Sequence, residues 1–212
     1  MLPLRKAYSL IAATGLVIAM IAYAVAQIDT TAWLDRTIEA SLALDSALSL
    51  EIALASAGLA GLALVAGLRA AGAPIVGWPE RLMLGWAAAV SLLAALPAGA
   101  PRFVAGALSG AAFLTLAAAT ALLVPLLRAD ARWEGVARPM EWLALAQGLG
   151  LAAITYVALP GHQVMIGLVE RLLLGAEVAV AGLLAVRLLQ LTWAGPAARL
   201  VKRGGVTLIG RY

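Results

Sequence analysis

Six long apolar runs, separated by short loops that hold most of the charge, constrain this chain more than any other feature. A hydrocarbon core about 30 Å thick takes ~20 apolar residues of helix to cross. The runs fall at 8–28, 46–68, 79–96, 103–127, 140–159 and 163–191. No water reaches a backbone inside lipid, so each run must satisfy its own N–H and C=O groups, which a helix does and an open strand does not. Composition agrees with this reading. Of 212 residues, 64% are hydrophobic and 12% charged, whereas a soluble domain carries about 25% charge. The chain is therefore expected to be all-α and polytopic, a single domain of six transmembrane helices over residues 1–212. Residues 192–212 form a basic tail.

Loop charge orients the spans. With the N-terminus in the cytoplasm, Arg5, Lys6, Arg69, Arg81, Arg128, Arg132, Arg138, Arg199, Lys202, Arg203 and Arg211 fall inside, with Arg187 near that boundary. Only Arg36 and Arg102 fall outside, and Asp29, Asp35, Glu39 and Asp45 make the first outer loop acidic. Cytoplasmic loops are the ones that accumulate Lys and Arg, so both termini are predicted to be cytoplasmic. Trp33, Trp78, Trp133, Trp142 and Trp193 stand near span ends, where an aromatic belt belongs. Trp33, Leu34, Ile38, Leu42 and Leu44 have a spacing that suits a short helix lying on the outer surface. Pro125 is expected to bend or end the fourth span. Pro139 is expected to open the fifth, and Pro160-Gly161 to close it. Arg5-Lys6 before the first run and Ala24-Val25-Ala26 after it also resemble a signal peptide, but the run is long for one and reads as a span.

Several function classes lack their residues. Cysteine is absent and His162 is the single histidine, which removes disulfides, thiol chemistry, and Cys- or paired-His metal and haem sites. No phosphate-binding glycine loop, Ser-His-Asp set or nucleophile elbow is present. The net charge of +4 resides in the loops between apolar runs, so it reports membrane orientation and not nucleic-acid binding. No metal and no cofactor is expected, and His162 reads as a solvated loop residue. Gly106 and Gly110 make a GxxxG pattern that permits close helix approach. Trp86 and Tyr23, inside spans, read as packing.

The chain also echoes itself at an offset of ninety residues. Ten of the twenty positions from Gly77 to Leu96 are identical to those from Gly167 to Val186, including Glu80-Arg81 and Glu170-Arg171. The offset also pairs Glu51 with Glu141 and Gly58-Leu59 with Gly148-Leu149. Three spans separate the partners, so the halves would be a 3+3 inverted repeat, a recurrent plan among membrane transporters. Composition alone makes Ala- and Leu-rich helices resemble each other, and Glu80 lies nearer its span end than Glu170, which is about 12 Å into the predicted run.

Four ionisable residues make an intramembrane cluster: Glu51, Glu170, Arg171 and Glu177. A charge at the bilayer centre costs about 2.5 to over 10 kcal/mol, so such groups face protein or water and find partners. Glu170 and Glu177, two turns apart, share a helix face, while Arg171 lies about 100° round from Glu170. Arg171 is predicted to bridge to Glu51, or to Glu170 through a shared polar pocket. For Glu177 the candidate partners are Gln147, Thr155 and Tyr156. The cluster is either a structural ion pair that sets helix register or a substrate, ion or proton site.

The segment Val157-Ala158-Leu159-Pro160, then Gly167-Leu168-Val169-Glu170-Arg171-Leu172-Leu173-Leu174-Gly175 and Leu184-Ala185-Val186-Arg187-Leu188-Leu189, resembles the C-terminal signature of the bacterial membrane family called domain of unknown function 998. Gly110-Ala111-Ala112-Phe113-Leu114 and Leu127-Arg128-Ala129-Asp130-Ala131-Arg132-Trp133 are similar as well. The resemblance implies six helices in a bacterial inner membrane and an uncharacterised function. It has departures. The family's Phe-Pro-Thr-Asp-Pro-like turn reads Leu96-Pro97-Ala98-Gly99-Ala100 here, and its histidine pair falls on Ala105 and Ser109. The expected function is a non-catalytic multi-pass membrane protein, in contact with the lipid bilayer and other membrane subunits, as an accessory or structural part of a larger complex. The alternative is a small transporter or lipid-handling protein built on the Glu/Arg cluster.

Overall fold

A computed structural model describes residues 2–28, 37–42, 48–97, 99–159 and 165–193. The predicted positions Trp33, Arg36, Asp45, Pro160-Gly161, His162 and the tail from 194 onward lie outside the described residues. Among those described, every regular element is a helix: α1 Leu2–Ile28, α2 Ile38–Leu42, α3 Leu48–Ala70, α4 Trp78–Ala94, α5 Arg102–Ala129, α6 Glu134–Ala158 and α7 Ile166–Trp193. Five of them (α1, α3, α5, α6 and α7) are long and apolar enough to cross a membrane. α4 has 17 residues, about 26 Å of helix. Large apolar side chains stand exposed along the outside, among them Ile11, Ile18, Leu59, Leu114, Leu149 and Leu172. In water such a surface would drive aggregation; in lipid it is the ordinary outer face.

Each long helix packs on the next in sequence, and α7 returns to α1, closing a ring; α7 also touches α3 and α5 across it. Small residues allow the closest approaches. A Cβ at Gly61 would lie 2.6 Å from the Trp86 ring, and one at Gly15 would lie 2.9 Å from Ala60 Cβ. At Gly110 a Cβ would meet nothing within 4 Å. Close approach therefore centres on α3, and the GxxxG pattern of α5 does not mark one at Gly110.

Two helix ends expected at prolines are corrected: Pro125 does not end α5, and Pro139 does not open α6. α5 runs through Pro125 to Ala129, and α6 begins at Glu134, ahead of Pro139. A proline removes one intrahelical hydrogen bond, which helices packed on neighbours tolerate. The first turn of α6 is anchored by Trp133, which is fully buried and so does not sit in an aromatic belt. Trp78, Trp142 and Trp193 are exposed, with the Lys6 ammonium 4.7 Å from the Trp193 ring and Arg81 5.6 Å from that of Trp78.

The end of the bundle holding Arg69, Arg128 and Arg132 is tied by backbone carbonyls. Arg132 donates to Gly72 O at 2.8 Å and to Ala71 O at 3.3 Å, joining the α3–α4 turn to the α5–α6 turn. Arg187 of α7 donates from Nε to Arg132 O at 2.9 Å. Gly72, with φ +65°, makes the turn that presents its carbonyl. Arg132 also pairs with Asp130 at 2.7 Å, and its hydrogen bonds hold the Asp130 carboxyl below the usual range. Arg69 pairs with Glu80 across α3 and α4. We refer to this as the basic end.

Candidate functional site

α7 organises the interior. Its buried positions Ile166, Glu170, Leu173, Glu177, Val180, Leu184 and Leu188 recur every three or four residues, so one stripe faces the ring's centre. Both glutamates lie on that stripe, as their spacing requires. Glu170, 4% exposed, accepts the backbone N–H of Ile38 at 2.8 Å. That bond satisfies a donor at the start of α2, which otherwise has no partner within its own short helix. The expected surface helix is thus docked over the bundle end, with Ile38 buried and α2 against α3, α5 and α7.

Arg171 does not bridge to Glu51. Its Nε donates to Gln27 Oε1 of α1 at 2.9 Å, and its Nη1 to Gly167 O at 2.9 Å. Its offset of about 100° from the inward stripe turns it toward α1 and away from α3. Glu51 is half-buried in the first turn of α3. Glu141 pairs with Arg128 at 2.6 Å on an exposed part of α5 and α6. The four predicted residues therefore do not form one cluster: Glu170 and Arg171 knit α2, α7 and α1 together near one end, Glu177 stands two turns deeper, and Glu51 stands apart in the first turn of α3.

Glu177 is 1% exposed, and its Oε2 accepts the indole N–H of Trp86 on α4 at 3.1 Å. Its Oε1 has no hydrogen-bond partner. Of the three candidate partners named for it, Thr155 donates to Leu151 O and Tyr156 is exposed. Gln147 remains: it is fully buried, and neither atom of its carboxamide is hydrogen-bonded.

The helix register places Gln147 at nearly the height of Glu177. A Cβ on Gly150 would meet Leu173 Cδ1 at 2.9 Å, so α6 and α7 touch there. Toward the basic end, Gln147 is three residues from Gly150 and Glu177 four from Leu173, a difference of about 1.5 Å in height. Both are buried, so the seam between α6 and α7 holds a carboxyl and a carboxamide in one layer, closed on the far side by the Trp86 indole. Such a layer can hold a proton or a water molecule by hydrogen bonds. Among the described residues, no three of His, Cys, Asp and Glu stand together in a way that could hold a metal ion.

Sequence reasoning missed Trp86 as a partner, reading it as packing. The pairing depends on Gly61, which lies opposite the indole and leaves the ring room to reach across the core, a juxtaposition that only the fold reveals. Neither a protein-family model nor a curated protein nor a solved structure matches the chain.

Proposed function

We propose that this chain is a non-catalytic multi-pass protein of a bacterial cytoplasmic membrane, serving as an accessory or structural subunit of a larger membrane assembly. The observation that carries the reading is the engagement of Glu170 and Arg171. These ionisable groups reach the α2 backbone and the α1 side chain Gln27, bonds that hold the scaffold together. Six spans with both termini cytoplasmic belong to the same proposal. α3 ends beside Arg132, at the close of α5, so the chain must return to the far end before α5 begins, and α4 is the segment that takes it there. The inverted repeat belongs here too, supported by the placement of Glu80 as third residue of α4 and Glu170 as fifth of α7, both buried. So does membership of the family resembled by the Gly167–Gly175 segment.

Native mass spectrometry from a mild detergent tests the subunit reading. A stoichiometric complex with other membrane proteins is the expected result; a bare monomer recovered from native membranes would sink it. A second reading, a small transporter or lipid-handling protein, is favoured by Glu177 and Gln147, buried polar groups with unused hydrogen-bonding capacity. Flux through reconstituted liposomes that disappears in Glu177→Leu would favour this second reading over the first.

A further inference from the structure

We propose that Glu177 and Gln147 form an internal site that binds and releases one exchangeable proton, with water as carrier and the Trp86 indole as a fixed partner. Three observations meet in this layer. The first is an incomplete hydrogen-bond account: Glu177 Oε1 and both carboxamide atoms of Gln147 are buried without partners. Leaving a buried polar group unpaired costs about 1–3 kcal/mol, and a proton with a bridging water would satisfy these three together. The second is composition of the surroundings. α5 faces the interior with Leu116, Ala119, Thr120 and Leu123, and Thr120 already donates to Leu116 O. α4 contributes Trp86, while the buried Tyr23 hydroxyl of α1, which has no hydrogen-bond partner, stands by Arg171 and Glu170 and not by Glu177. On α3, Glu51 stands nearer the opposite end, and on α7 itself Glu170 and Arg171 are two turns away and engaged. Among the described residues no cation pairs with Glu177, so a proton is the charge-balancing guest the geometry suits.

The third observation is access. α6 fully buries Val136, Ala137, Met140 and Gln147; beyond Gln147 its contact continues only through half-buried residues, Gly150 against Leu173 and then Leu151 and Ile154. From Gly148 to Ala158 every α6 residue is exposed or half-buried. The seam is therefore fully buried toward the basic end and only half-buried toward the other, and in the proposed site water reaches Glu177 from that thinner side. In the binding step a hydronium gives its proton to Glu177 Oε1 and leaves as water; release is the reverse, and no electrons move. The Gln147 carboxamide supplies an acceptor for the protonated carboxyl and a donor for the ionised one, so it serves both states. The inference rests on the layer itself and not on partner docking, so its failure leaves the subunit reading standing, and the converse holds too.

Infrared difference spectroscopy of the full chain in lipid nanodiscs, with carbon-13 glutamate, reads the site directly. A protonated-carboxyl band in the wild-type protein should appear and vanish reversibly between about pH 4 and pH 10, across which an accessible carboxyl can exchange. Glu177→Gln should abolish that band. Gln147→Leu should move its midpoint by one pH unit or more, a tenfold change in proton affinity. In the wild type, the component of the tryptophan fluorescence that Trp86→Phe removes should titrate with the same midpoint. A wild-type spectrum with no exchanging carboxyl, a band that survives Glu177→Gln, or a midpoint indifferent to Gln147→Leu would each overturn the proposal.

Discussion

Replacing Trp86 by Phe removes the one donor that Glu177 has, and the cost can be worked from the contacts. Trp86 is 2% exposed, packs over Gly61 and gives its N–H to Glu177 Oε2 at 3.1 Å. Stripping that donor leaves a buried carboxyl wholly unpaired, at about 1–3 kcal/mol. The smaller ring leaves a void that adds about 1–2 kcal/mol. Glu177→Leu has opposing terms: it orphans the indole N–H, again about 1–3 kcal/mol, but removes an unpaired buried oxygen of similar cost. The double variant replaces both partners with apolar groups, a change that is often neutral or stabilising. It should therefore be more stable than Trp86→Phe alone, with a coupling energy of about 1–3 kcal/mol across the cycle. The assay is reversible unfolding in mixed micelles titrated with denaturing detergent, followed by far-ultraviolet circular dichroism so that loss of an indole does not distort the signal. Costs that add to within about 0.5 kcal/mol would refute the reasoning, because they would mean the two side chains do not share an interaction.

The same unfolding assay reads the remaining predictions. Gly61→Ala should cost about 1–3 kcal/mol, since its methyl would press on the Trp86 ring at 2.6 Å, whereas Gly110→Ala, with open space around it, should gain up to about 1 kcal/mol of helix propensity. Equal effects at the two glycines would contradict the packing described. Arg132→Ala should lower stability by about 1 kcal/mol by untying the α3–α4 turn, and a variant indistinguishable from wild type would show those exposed bonds to be inert. Asp130→Asn carries a pH signature. Arg132 lowers the Asp130 pKa in the folded state, so its stabilising effect is present above the unfolded value of 3.8 and fades as pH falls through the folded one. The variant should lie below wild type at neutral pH and converge with it in acid; a gap that persists in strong acid contradicts the sign.

That the chain is all-helical, with long apolar helices, was legible because lipid leaves so few options: a run of twenty apolar residues has one way to satisfy its backbone. The stripe on α7 was legible for the same reason, since Glu170 and Glu177 stand seven residues apart. Helix ends were not legible at Pro125 and Pro139, because proline rules describe an isolated helix and both sites lie in helices braced by neighbours. Partner choice was harder still. Arg171 could reach α1 or α3 by length alone, and only the order of helices round the ring assigns it to Gln27. Trp133 reads as a belt residue by position, yet it is buried beneath the start of α6.

The two glutamates of α7 show how alike in sequence, and unlike in physical standing, neighbouring acids can be. Glu170 has a backbone donor from α2, so its carboxyl completes an account that α2 would otherwise leave open. Exchange it for Leu and the Ile38 N–H at the head of α2 loses its acceptor. Glu177 has a single indole and an idle oxygen. Exchange it for Leu together with Trp86→Phe and, of the polar side chains described for that layer, Gln147 is left without a hydrogen-bond partner while Thr120 keeps its bond to Leu116 O. A chain that is 64% hydrophobic had Leu at hand for this position, and packing alone would favour it. Structural need therefore accounts more fully for Glu170 than for Glu177, whose unpartnered oxygen is the feature on which the proposed proton site rests. The distinction is measurable as a pair. Triple replacement of Trp86, Glu177 and Gln147 by Phe, Leu and Leu should fold at least as stably as Trp86→Phe, while Glu170→Leu should loosen α2 and expose the bundle end to proteolysis. If instead the triple variant unfolds and Glu170→Leu is silent, the assignment of roles between the two acids is reversed.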